Sequence, residues 1–216
     1  MTDKMLEKLG EKYALKEVDP GEFANLKANR MKFTVSAYDA EGMGRVSVMK
    51  AKGFFGLIKM DTVIVTPYDV DLPLYSYDRM KMFGADILIS EMYDTTVSEG
   101  FDASEIDKIN AAYADLTDRD PGNHWYDSIR LTQSVSKTGK KPQAERMDSL
   151  AIAHFEAWLS SGAPAVEDAA AKRERTEYYV NGLLTGGGPS TDVFKKSLGD
   201  EKTAKLFISV LFGLDK

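Results

Sequence analysis

The chain has 216 residues, of which 43% are hydrophobic and 29% charged, and its formal net charge is −6 at pH 7. These values are typical of a globular protein with one core, and the negative charge argues against general nucleic-acid binding, which uses a basic surface. No stretch approaches the roughly 20 apolar residues of a membrane span, so we expect no membrane partner. We expect a single domain over residues 1–216 and, because the N-terminus lacks an apolar signal core, a cytoplasmic location.

The chemistry available to the chain is limited by its residue types. The absence of cysteine excludes disulfides, thiolate nucleophiles and cysteine-ligated metal centres. The two histidines, His124 and His154, are too far apart in sequence for a helical metal-binding pair. We therefore expect surface or core histidines and no metal site.

The first 28 residues have helical spacing of apolar positions. Leu6, Leu9, Tyr13 and Leu15 form the repeat, and the sequence Asp-Pro-Gly over 19–21 interrupts it. We predict an N-terminal helical segment over residues 1–28.

The period of the apolar residues changes to two between residues 31 and 94. Short connections rich in glycine, proline or aspartate separate the runs, and such connections join antiparallel neighbours. We predict an antiparallel meander of about five strands. The runs are 31–38, 45–51, 57–66, 72–80 and 85–94.

Helical spacing returns after residue 94 and continues through residues 103–213. One stripe runs from Met147 to Trp158 and ends at Gly162-Ala-Pro164, and a second break follows at residues 186–190. A sheet followed by helices predicts an α+β fold in which helices cover one or both sheet faces.

A carboxylate stands among apolar residues in the fourth predicted strand. Alternation places Asp78 on a face that should be apolar if the sheet buries it. Its neighbours on that face are Leu72, Leu74 and Met80. An unpaired buried carboxyl group is costly and has a raised pKa, which suits a proton donor. We predict that Asp78 donates protons in catalysis; the alternative is a structural acid that pairs with a basic neighbour.

Several segments together resemble the ferredoxin-dependent bilin reductases, which are related to red chlorophyll catabolite reductase. The sequence Tyr-Asp-Val-Asp-Leu-Pro-Leu-Tyr-Ser-Tyr-Asp over 68–78 is similar to the family's strand with the catalytic aspartate. The run over 86–94 is similar to the next strand, which also ends in aspartate. Residues 121–125 resemble a Leu-Pro-x-Trp turn, and residues 193–213 resemble the closing helical pair.

The resemblance implies an α/β/α sandwich that holds a linear tetrapyrrole between a central antiparallel sheet and the C-terminal helices. It also implies that no cofactor is bound, because the family takes single electrons from external ferredoxin and protons from acidic side chains, through substrate radicals. Two basic clusters could face ferredoxin. They are Lys137, Lys140, Lys141 and Arg146, or Lys172, Arg173 and Arg175.

Residue by residue, the resemblance assigns the catalytic aspartate to Asp78. Asp61 stands where some members have a histidine that pairs with this aspartate, and we predict that the two carboxylates lie on one face and share a proton. The sequence departs from the family at Met49, where some members have a glutamate. It departs again at Gly186-Gly-Gly188, which replaces a polar Asn-Asp pair, so no second acidic site is predicted there.

Six residues are predicted to contact the substrate. Three tyrosines could stack on a planar ligand, and Glu91 is an acid on the face of two isoleucines. The glycine-rich run before a predicted helix could hold a propionate on free backbone amides, although capping by Ser190 or Thr191 is the plainer interpretation. The predicted contacts are Tyr75, Tyr77, Glu91, Tyr93, Gly187 and Ser190.

The sequence therefore predicts a reductase of an open-chain tetrapyrrole, with Asp78 as proton donor and Asp61 as its modulator. Two alternatives remain open at this point. One is a non-catalytic member of the same fold that binds a tetrapyrrole or another planar ligand, and the other is an unrelated protein-interaction domain. The sequence does not specify the tetrapyrrole, the double bond, the number of electrons or the oligomeric state.

Overall fold

Eight antiparallel strands form one sheet in the computed structural model of the protein, which describes residues 1–98 and 100–215. The five strands predicted between residues 31 and 94 are all present, each nine or ten residues long. The strands are β1 (Leu15–Val18), β2 (Asn25–Ala28), β3 (Met31–Ala40), β4 (Gly44–Gly53), β5 (Ile58–Pro67), β6 (Leu74–Met82), β7 (Ala85–Tyr93) and β8 (Val135–Gly139).

The central strands follow one another as a meander. β3 to β7 lie side by side in chain order, as short antiparallel connections require. β8 extends the sheet beyond β7, while β1 and β2 both pair with β3 at the opposite edge. The sheet is therefore wider than the five strands that the sequence predicts.

The prediction of a helical segment over residues 1–28 is only partly correct. A helix, α1, covers Thr2–Gly10, but Leu15 begins β1 and Leu26 lies in β2. β1 and β2 have four residues each, and β8, inside the region predicted as mainly helical, has five. Runs this short show too few alternations to be recognised from sequence.

Helices cover both faces of the sheet and give the α/β/α sandwich. Those that precede residue 160 pack on one face, and those that follow pack on the other. None of the helices in residues 1–98 and 100–215 is long and apolar enough to cross a lipid bilayer. The remaining helices are α2 (Ser104–Ala112), α3 (Ala144–Leu159), α4 (Ala169–Gly186), α5 (Pro189–Leu198) and α6 (Asp200–Lys205), which continues into a π-helical turn over Leu206–Leu211.

Alternation along β6 determines which residues face each helical layer. Asp78 and Met80 face the C-terminal helices together with Leu74, as predicted. Tyr75 packs into the other layer. Leu72, which we placed on the face of Asp78, is also in that other layer, because it lies in the connection before β6 begins. The face of β6 toward α4 to α6 thus carries a carboxylate amid apolar residues.

Candidate functional site

A cavity of about 320 Å³ lies between the sheet and the C-terminal helices. Alternate residues of β4 to β7 form its floor, and α4, the start of α5 and the π-helical turn form its roof. Its volume is in the range of small-molecule sites, which are concave and mostly apolar with a few polar groups. The apolar lining includes Met49, Met60, Ile64, Leu74, Met80, Ile89, Leu183, Phe207 and Leu211.

Asp78 is the acidic group on the central floor of this cavity. Thr62 lies directly opposite on β5, and its hydroxyl donates a short hydrogen bond to Asp78 Oδ1. Burial raises the pKa of Asp78 to about 6; the Thr62 hydrogen bond opposes this rise, and the negative charge of Glu91 adds to it. A carboxyl group with this pKa is partly protonated near neutral pH and can act as a general acid.

Glu91 is a second carboxylate in the cavity, on the same sheet face as Asp78. It shares that face because Ser76 pairs with Glu91 and Asp78 pairs with Ile89 across the β6–β7 hairpin. An Arg130 nitrogen lies 3.1 Å from Glu91 Oε1, and the Tyr93 hydroxyl donates to Oε2 at 2.6 Å. These two partners hold the Glu91 carboxyl group in place at one end of the cavity.

An aromatic cluster forms the wall next to Glu91. Tyr93 and Tyr179 stack with ring centroids 4.3 Å apart, and Tyr126 meets Tyr93 edge to face at 5.4 Å. Burial raises the pKa of both Tyr93 and Tyr179 well above the usual tyrosine range, so both remain neutral phenols. The wall offers flat apolar surfaces to a planar ligand.

The prediction that Asp61 and Asp78 share one face is wrong. In the β5–β6 pairing, Thr62 lies opposite Asp78 and Asp61 lies opposite Arg79. Residues directly opposite each other point to the same side of an antiparallel sheet, so Asp61 points away from the cavity. It lines a shallow cleft on the other face with Lys50. The two carboxylates therefore cannot share a proton by direct contact.

The predicted substrate contacts Tyr75 and Tyr77 also point away from the cavity. Both are fully buried against the helical layer that contains α1 and α3. The Tyr75 hydroxyl lies 3.0 Å from His154 Nδ1, and His154 Nε2 lies 3.0 Å from the Gln133 carbonyl oxygen. Burial lowers the pKa of His154 to about 4, so the ring is neutral, with Nε2 donating to the carbonyl and Nδ1 accepting from Tyr75. These residues belong to the core.

The glycine-rich run lies at the rim of the cavity. Gly188 and Ser190 line it, while the Gly187 carbonyl accepts a hydrogen bond of 3.0 Å from the Trp125 indole. The prediction that Ser190 or Thr191 caps α5 is wrong, because Gly188 is the N-cap residue and no side chain caps the helix. Ser190 therefore keeps its hydroxyl beside the cavity, at the N-terminus of a ten-residue helix.

The loop over residues 119–126 closes the cavity on its third side. From the sequence, this loop was predicted only as a turn that resembles Leu-Pro-x-Trp. His124 stacks on Tyr126 with centroids 4.8 Å apart, and its Nε2 lies 2.8 Å from the Pro121 carbonyl oxygen. Two further residues of the site, Thr62 and Arg130, were not predicted from the sequence. Thr62 adjoins Asp61, so the correct β5–β6 register would have identified it, whereas no local signal points to Arg130.

Of three comparisons with known proteins, only the comparison of folds finds a match. No protein-family model matches the chain, and no curated protein does either. A sandwich of helices around one antiparallel sheet, with a cavity beneath the C-terminal helices, is the class of fold defined here. The crystal structure of phytochromobilin synthase from tomato in complex with biliverdin has a similar fold, with a TM-score of 0.79 and 12% sequence identity over 98% of this chain and 81% of that one.

Proposed function

We propose that the protein reduces an open-chain tetrapyrrole in this cavity, using single electrons from ferredoxin and protons from Asp78. The observation that carries the proposal is the raised pKa of Asp78, about 6, inside an apolar cavity. The structural neighbour of similar fold was solved with biliverdin, and the sequence resembles the bilin reductases around Asp78. The substrate class is therefore a bilin or a chlorophyll catabolite.

Each of four cavity residues has a separate role in the proposed reduction. Reduction of one double bond consumes two electrons and two protons; ferredoxin supplies the electrons singly, and Asp78 supplies each proton in turn, taking up a new proton from solvent after each transfer. Thr62 orients the Asp78 carboxyl group through its hydrogen bond. Glu91 is held by Arg130 and is positioned to bind pyrrole N–H groups, while Tyr93 offers a ring face.

Fewer basic residues are accessible to ferredoxin than the two predicted basic clusters contain. Lys172 is completely buried and ion-paired with Asp71 at 3.2 Å, and Lys137 is buried beside Asp118 at 2.6 Å. Neither ammonium group is available to a protein partner. Lys140 and Lys141 are exposed, and we propose that they contact ferredoxin. We also propose a cytoplasmic location.

The test is an anaerobic spectral titration with biliverdin, followed by addition of ferredoxin, its reductase and NADPH. We expect binding and then a time-dependent shift of the bilin absorption bands. The Asp78→Asn variant should bind biliverdin with near-normal affinity and stall, at a radical stage, because an amide keeps the shape but cannot give the proton.

Asp61→Asn is the matched control. It makes the same carboxylate-to-amide change on the neighbouring strand but on the opposite face, so it should reduce biliverdin at the wild-type rate. Full turnover by Asp78→Asn would refute the assigned role of Asp78. Binding without reduction by the wild type would instead favour a tetrapyrrole-binding protein without catalysis.

A further inference from the structure

Five lysines form an unbroken row across the sheet, on the face opposite the cavity. Each lies directly opposite the next across a strand pair. All five are exposed. The row, called the lysine row below, is Lys27, Lys32, Lys52, Lys59 and Lys81.

Such a row is unfavourable in the protein alone. Neighbouring strands are about 4.8 Å apart, and like charges directly opposite each other destabilise a sheet. Among the described residues, Lys27, Lys32, Lys52 and Lys59 have no ion pair, and Lys81 has a distant one with Asp86 at 3.8 Å. An anionic surface laid against the row would remove this repulsion.

Apolar side chains project from the two turns next to the lysine row, at the end of the sheet where β4 and β6 finish. The β4–β5 turn carries Phe54, Phe55 and Leu57, and the β6–β7 turn carries Phe83. Phe55 is fully exposed and Phe83 is 68% exposed, and the rings of Phe54 and Phe83 meet with centroids 6.2 Å apart. These four residues, called the apolar tip below, form a patch that water solvates poorly.

The backbone of the apolar tip adopts conformations that phenylalanine rarely adopts. Phe54, Phe55 and Phe83 have φ values of 48°, 55° and 47°, in the left-handed region that favours glycine and asparagine. Phe83 and Gly84 form a two-residue hairpin turn in which asparagine is the usual first residue. Phenylalanine here costs backbone energy and buries little surface in the protein itself.

We propose that this end of the sheet docks on an anionic lipid membrane, with the apolar tip inserted and the lysine row on the headgroups. Lys81 precedes Phe83 by two residues, or about 7 Å along a strand, which matches the depth of 5–10 Å at which interfacial segments insert. A second copy of the chain would bring two lysine rows together. An acidic protein would satisfy the lysines but would not need the protruding rings.

The test is co-sedimentation of the whole protein with vesicles, which needs neither a bilin nor an electron donor and is thus independent of the proposed reductase activity. We expect binding to vesicles of phosphatidylcholine and phosphatidylglycerol in equal parts, and none to phosphatidylcholine alone. Lys52→Ser with Lys59→Ser should weaken binding about 30-fold, since each lysine near an anionic surface contributes about fivefold. Phe55→Asn with Phe83→Asn should weaken it tenfold or more.

Two controls keep the outcome interpretable. Lys16→Ser with Lys196→Ser removes the same charge from exposed positions outside the row, and should change binding less than twofold. The asparagine substitutions suit the left-handed turns, so the variant should fold. Absence of wild-type binding, or binding that the phenylalanine changes leave intact, would overturn the proposal. Loss of ferredoxin-dependent turnover in the lysine variant, without loss of vesicle binding, would assign the row to a protein partner.

Discussion

The pKa of Asp78 depends on its burial and on two residues, Thr62 and Glu91, that the strand register places nearby. The apolar floor and roof of the cavity raise its pKa by burial, the Thr62 hydrogen bond lowers it, and Glu91 raises it again. Thr62 lies on β5 and Glu91 on β7, the two strands that flank Asp78 on β6. The raised pKa of Asp78 thus depends on the paired strands and the helices above them, and not on the residue alone.

These opposing contributions predict opposite shifts in the pH dependence of reduction. A proton donor must be protonated, so the single-turnover rate should fall as the pH rises through about 6. Thr62→Val removes the bond that stabilises the carboxylate and should move this fall to higher pH. Glu91→Gln removes a negative charge and should move it to lower pH.

Rapid-mixing measurements with prereduced ferredoxin between pH 5 and 8 would check both shifts. Asp61→Asn serves as control and should keep the wild-type profile, because Asp61 lies on the other face. Shifts of the same sign in both variants would indicate a general loss of structure instead of a change at Asp78.

The residue faces show what the sequence could and could not predict. The β6–β7 turn has two residues, which fixes the register, and Glu91 was correctly placed on the face of Ile89. Six residues connect β5 to β6, and a connection of this length does not fix the register of the two strands. A shift of one residue would place Asp61 instead of Thr62 opposite Asp78. Tyr75 and Tyr77 alternate with Asp78 along β6, so they point to the opposite face of the sheet, toward the core layer of α1 and α3.

At the scale of elements, a tryptophan attaches the loop over residues 119–126 to α4. The indole of Trp125 lies against two glycines one helical turn apart, Gly182 and Gly186, and a Cβ atom at Gly182 would overlap the ring. The predicted helical region over residues 103–213 gave no reason to expect this contact, because a glycine in a helix usually only weakens it.

Gly182→Ala should therefore destabilise the protein, although alanine is the better helix former. We expect a loss of about 1–3 kcal/mol in the free energy of unfolding from overpacking against Trp125. Asn181→Ala, at an exposed position of the same helix, is the control and should be neutral or slightly stabilising. Urea unfolding measures both, and a second change, Trp125→Leu, should recover much of the loss.

A buried ion pair attaches the start of β6 to α4. Lys172 Nζ lies 3.2 Å from Asp71 Oδ1 and donates to the Leu72 carbonyl oxygen at 2.6 Å, while the amides of Val97 and Ser98 donate to Asp71. Burial lowers the pKa of Lys172 to about 8. The pair fixes the segment that leads into the strand of Asp78.

Breaking this pair on one side should cost more than removing both charges. Lys172→Met leaves a carboxylate buried without its cation and should lose about 3–5 kcal/mol of unfolding free energy. The double variant, with Asp71→Asn added, should lose less than the sum of the single losses. A double-mutant cycle by urea unfolding measures the difference, and strict additivity would mean that the two groups do not interact.

At the scale of the whole molecule, the net charge is −6, yet one end of the sheet carries a local cluster of positive charge. The lysines of the row are scattered over 55 residues of sequence, from Lys27 to Lys81, and only the register of four strand pairs aligns them. The composition correctly described an acidic chain but gave no information on where its positive charges gather. The fold class, by contrast, followed from the change of apolar period near residues 31 and 94.

Two buried titrating groups act on the stability of the whole molecule with opposite signs. The folded-state pKa of Asp78 is raised from 3.8 to about 6, so the folded protein binds that proton more tightly and gains stability as the pH falls through 6. The pKa of His154 is lowered from 6.5 to about 4, so the unfolded protein binds that proton more tightly and stability falls over a similar range. Each effect is about 3 kcal/mol, at 1.36 kcal/mol per pKa unit.

Asp78→Asn should separate these two effects. At pH 7–8 the variant should be more stable than the wild type by about 3 kcal/mol, because it no longer buries a carboxylate, and the difference should shrink as the pH falls and vanish only well below 3.8, where Asp78 is protonated in both states. Between pH 6.5 and 4 the variant should lose stability more steeply than the wild type, since only His154 then titrates in that range. Urea unfolding at several pH values measures both curves. Parallel curves would mean that Asp78 titrates alike in the folded and unfolded protein, and they would remove the physical basis for its role as proton donor.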